Sequence, residues 1–353
     1  MKKFFALVTT LIVLLGVSTA FVGCRIDEPD FLYGYTMIHN RFYDEHRVQS
    51  HGPGYISRPV TEYVQVPLNP QRVVVFCHAI LDIMLEFDLS DRVVGITHMS
   101  TADYIEAAFP TTGANALPDV GAHEPHTPDF ETVIATNPDL IIISGRQRAR
   151  PHAFFARLSA IAPTIDLAVR TGAETFVTDF KENVEIIAEI FGLESEVDAR
   201  LTAIQTQIDN TAALSNEMYE AHGTTALIVQ LNGGGIAAHG GAGRYSLIHR
   251  ELGVREAVAN VNPANHGTPI GAGFFLENDA DIIFWIDRGF AVGDGASSVS
   301  ILSHEIFQGV TAVQNEHIFG LNSASWYFVS GGLRFMEQEI AFIYNALRTV
   351  FDA

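Results

Sequence analysis

The stretch NPDLIIISGRQ (residues 137–147) is a short apolar run that stops at an arginine, and NDADIIFWIDRG (278–289) repeats the construction. Ile141, Ile142 and Ile143 are consecutive, whereas a strand with one face in water alternates apolar and polar residues. The run therefore reads as a strand buried on both faces, as in a parallel sheet covered by helices. From Asp139 to Arg146 is seven residues, and from Asp281 to Arg288 is again seven. Two halves of the chain thus offer an arginine at the same place, the carboxyl end of a buried strand. In open parallel sheets that end is where ligands bind.

Outward from these runs the same grammar continues. RVVVF (72–76), DRVVGIT (91–97) and APTIDLAV (162–169) are short apolar runs separated by helical or turn-rich segments, the pattern of βαβ units. Phe176, Phe180, Val184, Ile187 and Phe191 then fall at helical spacing, Gly192 breaks the run, and Val197, Leu201, Ile204 and Ile208 resume it. Strands restart after Gly223 with TTALIVQLNG, DIIFWIDR and EHIFGLN, and a helix closes the chain from about residue 332 to 350. The expected fold class is α/β: two Rossmann-like lobes with parallel-type sheets joined by a long connecting helix. The expected division is 61–192 for the first lobe, 193–222 for the connecting helix and 223–353 for the second. A helical connector restricts hinge motion more than flexible strands would.

Composition limits the partners. The 353 residues are 48% hydrophobic and 18% charged, which suits a globular protein with full cores. A net charge of −20 excludes nucleic acid as a general partner, because that needs a basic footprint. An anionic ligand must be held by a local cluster of arginines.

The first 23 residues read as a secretory signal: Lys2 and Lys3, an apolar run, then small residues up to Gly23-Cys24. The segment resembles a bacterial lipoprotein signal, with Phe21 where leucine is usual, which implies cleavage before Cys24 and a lipid on that residue. An uncleaved anchor is the alternative, although the run is marginal in length for a span. With Cys77 the only other cysteine, a lipidated Cys24 leaves no disulfide. The expected location is the cell envelope, lipid-anchored and facing the periplasm or the outside. Residues 24–60 read as a tether or variable extension, and His39, His46, His51 and His78 lack zinc-like spacing with a second ligand type.

Three further loops carry chemistry. HGGAGRYSLIH (239–249) presents Arg244 before a helix start, NPANHGTPIGAG (262–273) holds His266, and SASWYFVSGGL (323–333) places Tyr327 before Ser330-Gly331-Gly332. Singly, each has an ordinary reading as a Gly-rich loop, a surface histidine or a core tyrosine. Together with the strand ends, in the order RVVVF, DRVVGIT, PDF, SGRQ, GRYSLIH, NHG, IDRGFAVG and WYFVSGG, they resemble the substrate-binding lipoproteins of iron-siderophore ABC transporters. Within that family the resemblance is closest to binders of catecholate siderophores of the petrobactin and enterobactin type, and it covers about residues 61–350.

The resemblance implies a binding protein with no intrinsic cofactor, not an enzyme. It would be a monomer that takes a ferric siderophore as ligand and has a permease with its ATPase as partners. It implies that Arg146, Arg244 and Arg288 surround the anionic catecholates, and that His266 and Tyr327 complete the iron shell when the siderophore leaves positions open. The chemistry fits: guanidinium stays charged, donates to catechol oxygens and stacks on rings, and a tyrosine phenolate suits a hard ferric ion. The family's permease-docking glutamates are absent at Thr127 and Gly273, so Glu124 and Glu277 are the expected substitutes, and Cys77-His78 replaces a more usual acidic and apolar pair. Haem is the alternative ligand, with Tyr327 and His266 as axial ligands, but three arginines exceed what two propionates need. A phosphate-cradling hydrolytic or nucleotide-dependent enzyme is the remote alternative; no Walker lysine, dinucleotide glycine pattern or nucleophile elbow supports it.

Overall fold

The computed structural model describes residues 34–43, 59–99, 101–121, 127–143, 153–167, 169, 175–259, 261, 267–293 and 307–352. The segment expected to be a signal, Cys24, Glu124, Arg146 and His266 lie outside the described residues. The chain begins with an antiparallel pair, β1 (Tyr35–Tyr43) and β2 (Pro59–Pro67). The reading of 24–60 as a tether is corrected here, because Tyr35–Tyr43 is a strand. The Asn40 side chain accepts a bond from the Asp166 backbone N–H at 2.7 Å, which ties this pair to the first sheet. Aromatic and polar residues in β1 obscured any alternation in the sequence.

The first sheet contains β3 (Val73–Val75), β4 (Val93–Ile96), β5 (Leu140–Ile143) and β6 (Thr164–Asp166) in the order β4-β3-β5-β6, and every pairing is parallel. All four residues of β5 are buried, as the unbroken apolar run requires. Two helices follow, Phe176–Phe191 and Glu194–His222. Gly192, at φ 71°, caps the first of these in the left-handed conformation that glycine adopts without a Cβ penalty.

The second sheet contains β7 (Ala226–Asn232), β8 (Gly235–His239), β9 (Thr268–Ile270), β10 (Ile282–Asp287) and β11 (Ile318–Gly320), in the order β11-β10-β7-β8-β9. β7, β10 and β11 are parallel, while β8 and β9 continue the sheet on the β7 side with antiparallel pairings, so the fold is α/β with one parallel and one mixed sheet. The sequence expectation of parallel-type sheets missed β8 and β9, whose Gly, Ala and Pro content hides their strand character.

The two sheets share a hydrophobic core. Val73, Ile80 and Met84 from the first half and Trp326, Phe335 and Ile340 from the second belong to one buried cluster. The C-terminal helix Leu333–Phe351 packs against the helix His78–Glu86 and the connecting helix Glu194–His222. Glu86 bridges Arg200 at 2.7 Å and accepts from Arg334 Nε at 2.6 Å, and Arg200 also reaches Glu337 at 3.0 Å. Three helices are thereby pinned by a partly shielded network, in which each pair contributes on the order of 1 kcal/mol or less.

The crossing into the last helix is tight. Gly331 has φ +92°, and a Cβ there would lie 2.6 Å from Val169 Cγ2. A Cβ on Gly332 would lie 2.0 Å from Asp82 Oδ2. The Asp82 carboxylate in turn accepts from the Phe335 backbone N–H at 3.2 Å, in the first turn of the last helix. Burial pushes the Asp82 carboxyl up to about 7, and burial likewise pushes Glu339, which accepts from Trp326 Nε1 at 2.6 Å, up to about 7.

These two carboxyls bind protons in the folded chain at pH values where the unfolded chain has released them. Stability must therefore fall as pH rises from about 4 to about 7, by on the order of a few kcal/mol over the window. Asp82→Asn, which can keep the bond to Phe335, is expected to flatten this decline. Thermal midpoints of the wild type and variant measured from pH 4 to 8 check it, and parallel curves would show that Asp82 does not titrate in this window.

Candidate functional site

Arg244, Arg288 and Tyr327 come from three separate segments of the second half and meet at one place. Arg244 sits in the turn after β8, just before a wide π-type turn, Leu247–Glu251. Gly243 is buried in this turn, and its N–H donates to Gly240 O at 2.9 Å. Arg288 directly follows β10, where the Asp287 carboxylate caps the short turn by accepting from the Phe290 N–H at 3.0 Å. Tyr327 lies in a second π-type turn, Ser325–Val329, a form that often marks functional positions.

The contacts are directional. Arg288 Nε donates to the Tyr327 hydroxyl oxygen at 3.0 Å. The Arg244 guanidinium lies over the Tyr327 ring, 4.0 Å from its centre, and its Nη2 donates to Tyr327 O at 3.3 Å. Tyr327 is only 5% exposed. Burial alone would raise its phenol, but the charge of Arg244 and the hydrogen bond from Arg288 outweigh it, and the net direction is downward. Two cations thus favour the phenolate, the form that would bind a hard metal ion. The half-buried arginines stand where anionic oxygens would be drawn against the negative field of the whole chain.

Behind the tyrosine stands a rigid aromatic wall. Trp326 is 1% exposed and meets Tyr245 and Phe335 edge to face, at ring-centre distances of 6.1 and 5.1 Å. The Tyr245 hydroxyl donates to Gln230 Oε1 at 3.0 Å, anchoring the Arg244 turn to β7. On the other side, Phe328 lies 6.5 Å, centre to centre, from the ring of His78 in the first half, and His78 Nδ1 is 2.9 Å from Thr101 Oγ1. His78 is therefore buried support for the Phe328 turn, while the half-buried Cys77 precedes its helix.

The structure brings together three of the five expected ligand residues; the other two, Arg146 and His266, lie outside the described residues. β5 ends at Ile143 shortly before Arg146, and Gly267, next to His266, packs on Ala238 and His239. Glu277 is exposed at the end of the helix Ala272–Glu277, and Gly273 on the same helix has open space around it. Among the described residues no group of three or more His, Cys, Asp and Glu side chains could hold a metal ion. No helix among them is long and apolar enough to cross a membrane. Sequence reasoning missed Asn232, Gln230 and Glu339, whose roles depend on side-chain partners far away in the chain.

Comparison with known proteins identifies the family. Residues 73–324 match the family described as periplasmic binding protein. The chain is 34% identical over 283 residues to the petrobactin-binding protein YclQ of Bacillus subtilis, covering 80% of this chain and 84% of that protein. The crystal structure of YclQ superposes with a TM-score of 0.72, at 32% identity, over 81% of this chain and 95% of the other. The ferric-anguibactin-binding protein FatB of Vibrio anguillarum is 27% identical over 210 residues, 58% of this chain and 62% of that one. With a family match across most of the folded chain, a relative at this identity and the same fold, the protein belongs to the periplasmic binding protein family of substrate-binding proteins.

Proposed function

We propose that this chain is the substrate-binding component of an ABC importer. In this reading it captures a ferric catecholate siderophore between lobes formed by residues 61–192 and 223–353, around the connecting segment 193–222, and hands it to a permease and its ATPase. The observation that carries the reading is the convergence of Arg244 and Arg288 on the buried Tyr327. A ferric tris-catecholate is a compact anion with a threefold negative charge, and guanidiniums both balance it and donate to its oxygens. Arg146 is proposed as the third cation. With a siderophore that leaves two positions on the iron open, Tyr327 and His266 fill them. The relatives named for petrobactin and ferric anguibactin favour a ferric siderophore over haem.

Titration of the soluble domain with ferric bis-catecholate, ferric tris-catecholate, ferric hydroxamate and haem tests the proposal. Emission from Trp326, adjacent to Tyr327, reports occupancy. Saturable quenching by a ferric catecholate at micromolar or lower concentration is the expected result; saturation by haem alone would overturn the reading.

Delivery and location belong to the same proposal. The protein acts as a monomer held at the membrane by a lipid on Cys24, and intact mass measurement of membrane-extracted protein should find diacylglycerol there rather than a bare mature chain. Glu124 and Glu277 serve as the permease contacts. Their alanine variants should keep full siderophore affinity while slowing uptake by the reconstituted transporter, and normal uptake in both would place docking elsewhere.

A further inference from the structure

Asn232 ends β7, on the strand neighbouring the one that carries Arg288. The next two residues, Gly233 and Gly234, have φ of 56° and 104° and turn the chain directly into β8, where Gly235 pairs with Asn232. Such a two-residue loop fixes the backbone of the residue before it. The Arg288 segment lies against the same hairpin: a Cβ on Gly289 would sit 3.5 Å from Gly233 N. Across this contact Arg288 Nη1 donates to Asn232 Oδ1 at 3.0 Å, while Arg288 Nε donates to the Tyr327 hydroxyl oxygen at 3.0 Å.

We propose that Asn232 is a positioning residue for ligand binding, one that holds the Arg288 guanidinium from a second nitrogen so that its Nε stays aimed at the Tyr327 oxygen. One hydrogen bond would leave a long side chain free to swing about that bond; two on different nitrogens fix both the direction and the plane of the flat group. The chemistry of the acceptor matters as much as its place. An amide oxygen accepts the bond without a charge, so this contact takes nothing from the attraction of Arg288 for an anion. A carboxylate at the same position would hold Arg288 as firmly but neutralise it.

The inference rests on the siderophore reading for its meaning, and two measurements separate the fates of the two ideas. In the ligand-free protein, nitrogen-15 spectra of arginine side chains report rotation of the Arg288 guanidinium, with the resonance assigned by its loss in Arg288→Gln. Slow rotation in the wild type and at least several-fold faster rotation in Asn232→Ala is expected; equal rates would overturn the positioning role whether or not any ferric complex binds. The second measurement titrates ferric tris-catecholate into wild type, Asn232→Ala, Asn232→Asp, Arg288→Gln and the Asn232→Ala/Arg288→Gln pair. Asn232→Ala is expected to weaken binding roughly 5- to 10-fold and to add nothing once Arg288 is gone. Asn232→Asp is expected to weaken it further than alanine does. A full, additive loss in the double variant would make Asn232 an independent ligand contact, against the proposal. Thermal midpoints of the Asn232→Ala and Asn232→Asp variants should be unchanged, because Asn232 is exposed.

Discussion

Gly332→Ala is expected to destabilise the protein by about 3 kcal/mol or more, lowering the thermal midpoint by roughly 5 to 10 °C. The backbone at Gly332 (φ −76°, ψ 163°) is one any residue adopts, so the loss reads space alone. The space is missing because the new methyl would fall 2.0 Å from Asp82 Oδ2 and 2.7 Å from both Asp82 Cβ and Cγ. Those atoms are held by the bond to Phe335 N and by the packing of the helix that carries them, so relief must come from separating the two helices. Scanning calorimetry of Gly332→Ala in the wild type and in an Asp82→Gly background checks the cause. With the obstructing side chain removed, the added methyl should cost less than about 1 kcal/mol. An undiminished cost there would place the strain elsewhere.

Arg244→Gln is expected to reduce affinity for the ferric catecholate by roughly 10- to 100-fold, since a charged hydrogen bond contributes about 1.5 to 3 kcal/mol. Arg244 has two tasks, and a substitution series separates them. Its charge favours an anionic ligand, and its flat face covers the Tyr327 ring at 4.0 Å. Lysine keeps the charge and loses the face, so Arg244→Lys should recover only part of the affinity. The ligand-free fold should barely notice either change, because the core residues beneath the turn, Tyr245 and Trp326, keep their own partners in Gln230 and Glu339. Fluorescence titration with a thermal midpoint for each variant provides the test. Affinity unchanged in both would remove Arg244 from the site.

The sequence made the fold legible wherever burial on both faces left its mark. Ile141, Ile142 and Ile143 announced β5, and the helical spacing of Phe176, Phe180, Val184 and Ile187 announced the helix that ends at Gly192. β8 and β9 escaped because GIAAH and TPI are short runs whose partners, not their own composition, make them strands. At the site, Arg288 was visible from its repeat of the Arg146 offset, and Arg244 and Tyr327 from the order of their motifs. The stacking of Arg244 on Tyr327 was not visible, because 83 positions separate the two residues and no local pattern encodes the contact. The glycines of SGGL were legible as punctuation before a helix, yet their cause, Asp82 and Val169, lies in the other half of the chain.

That last contact bears on the order in which the molecule can be completed. Asp82 and Glu86 belong to the first quarter of the chain, and the residues that cover and pair with them, Gly332, Arg334 and Phe335, lie close to its end; the bond from Phe335 N to Asp82 spans 253 positions. While a ribosome is still adding residues, the helix His78–Glu86 has no lid, and its carboxylates stand in water as ordinary charged groups. Contacts of such long range form late. The first half therefore waits for the final helix before it can close, so its buried carboxyls are among the last groups of the chain to leave water.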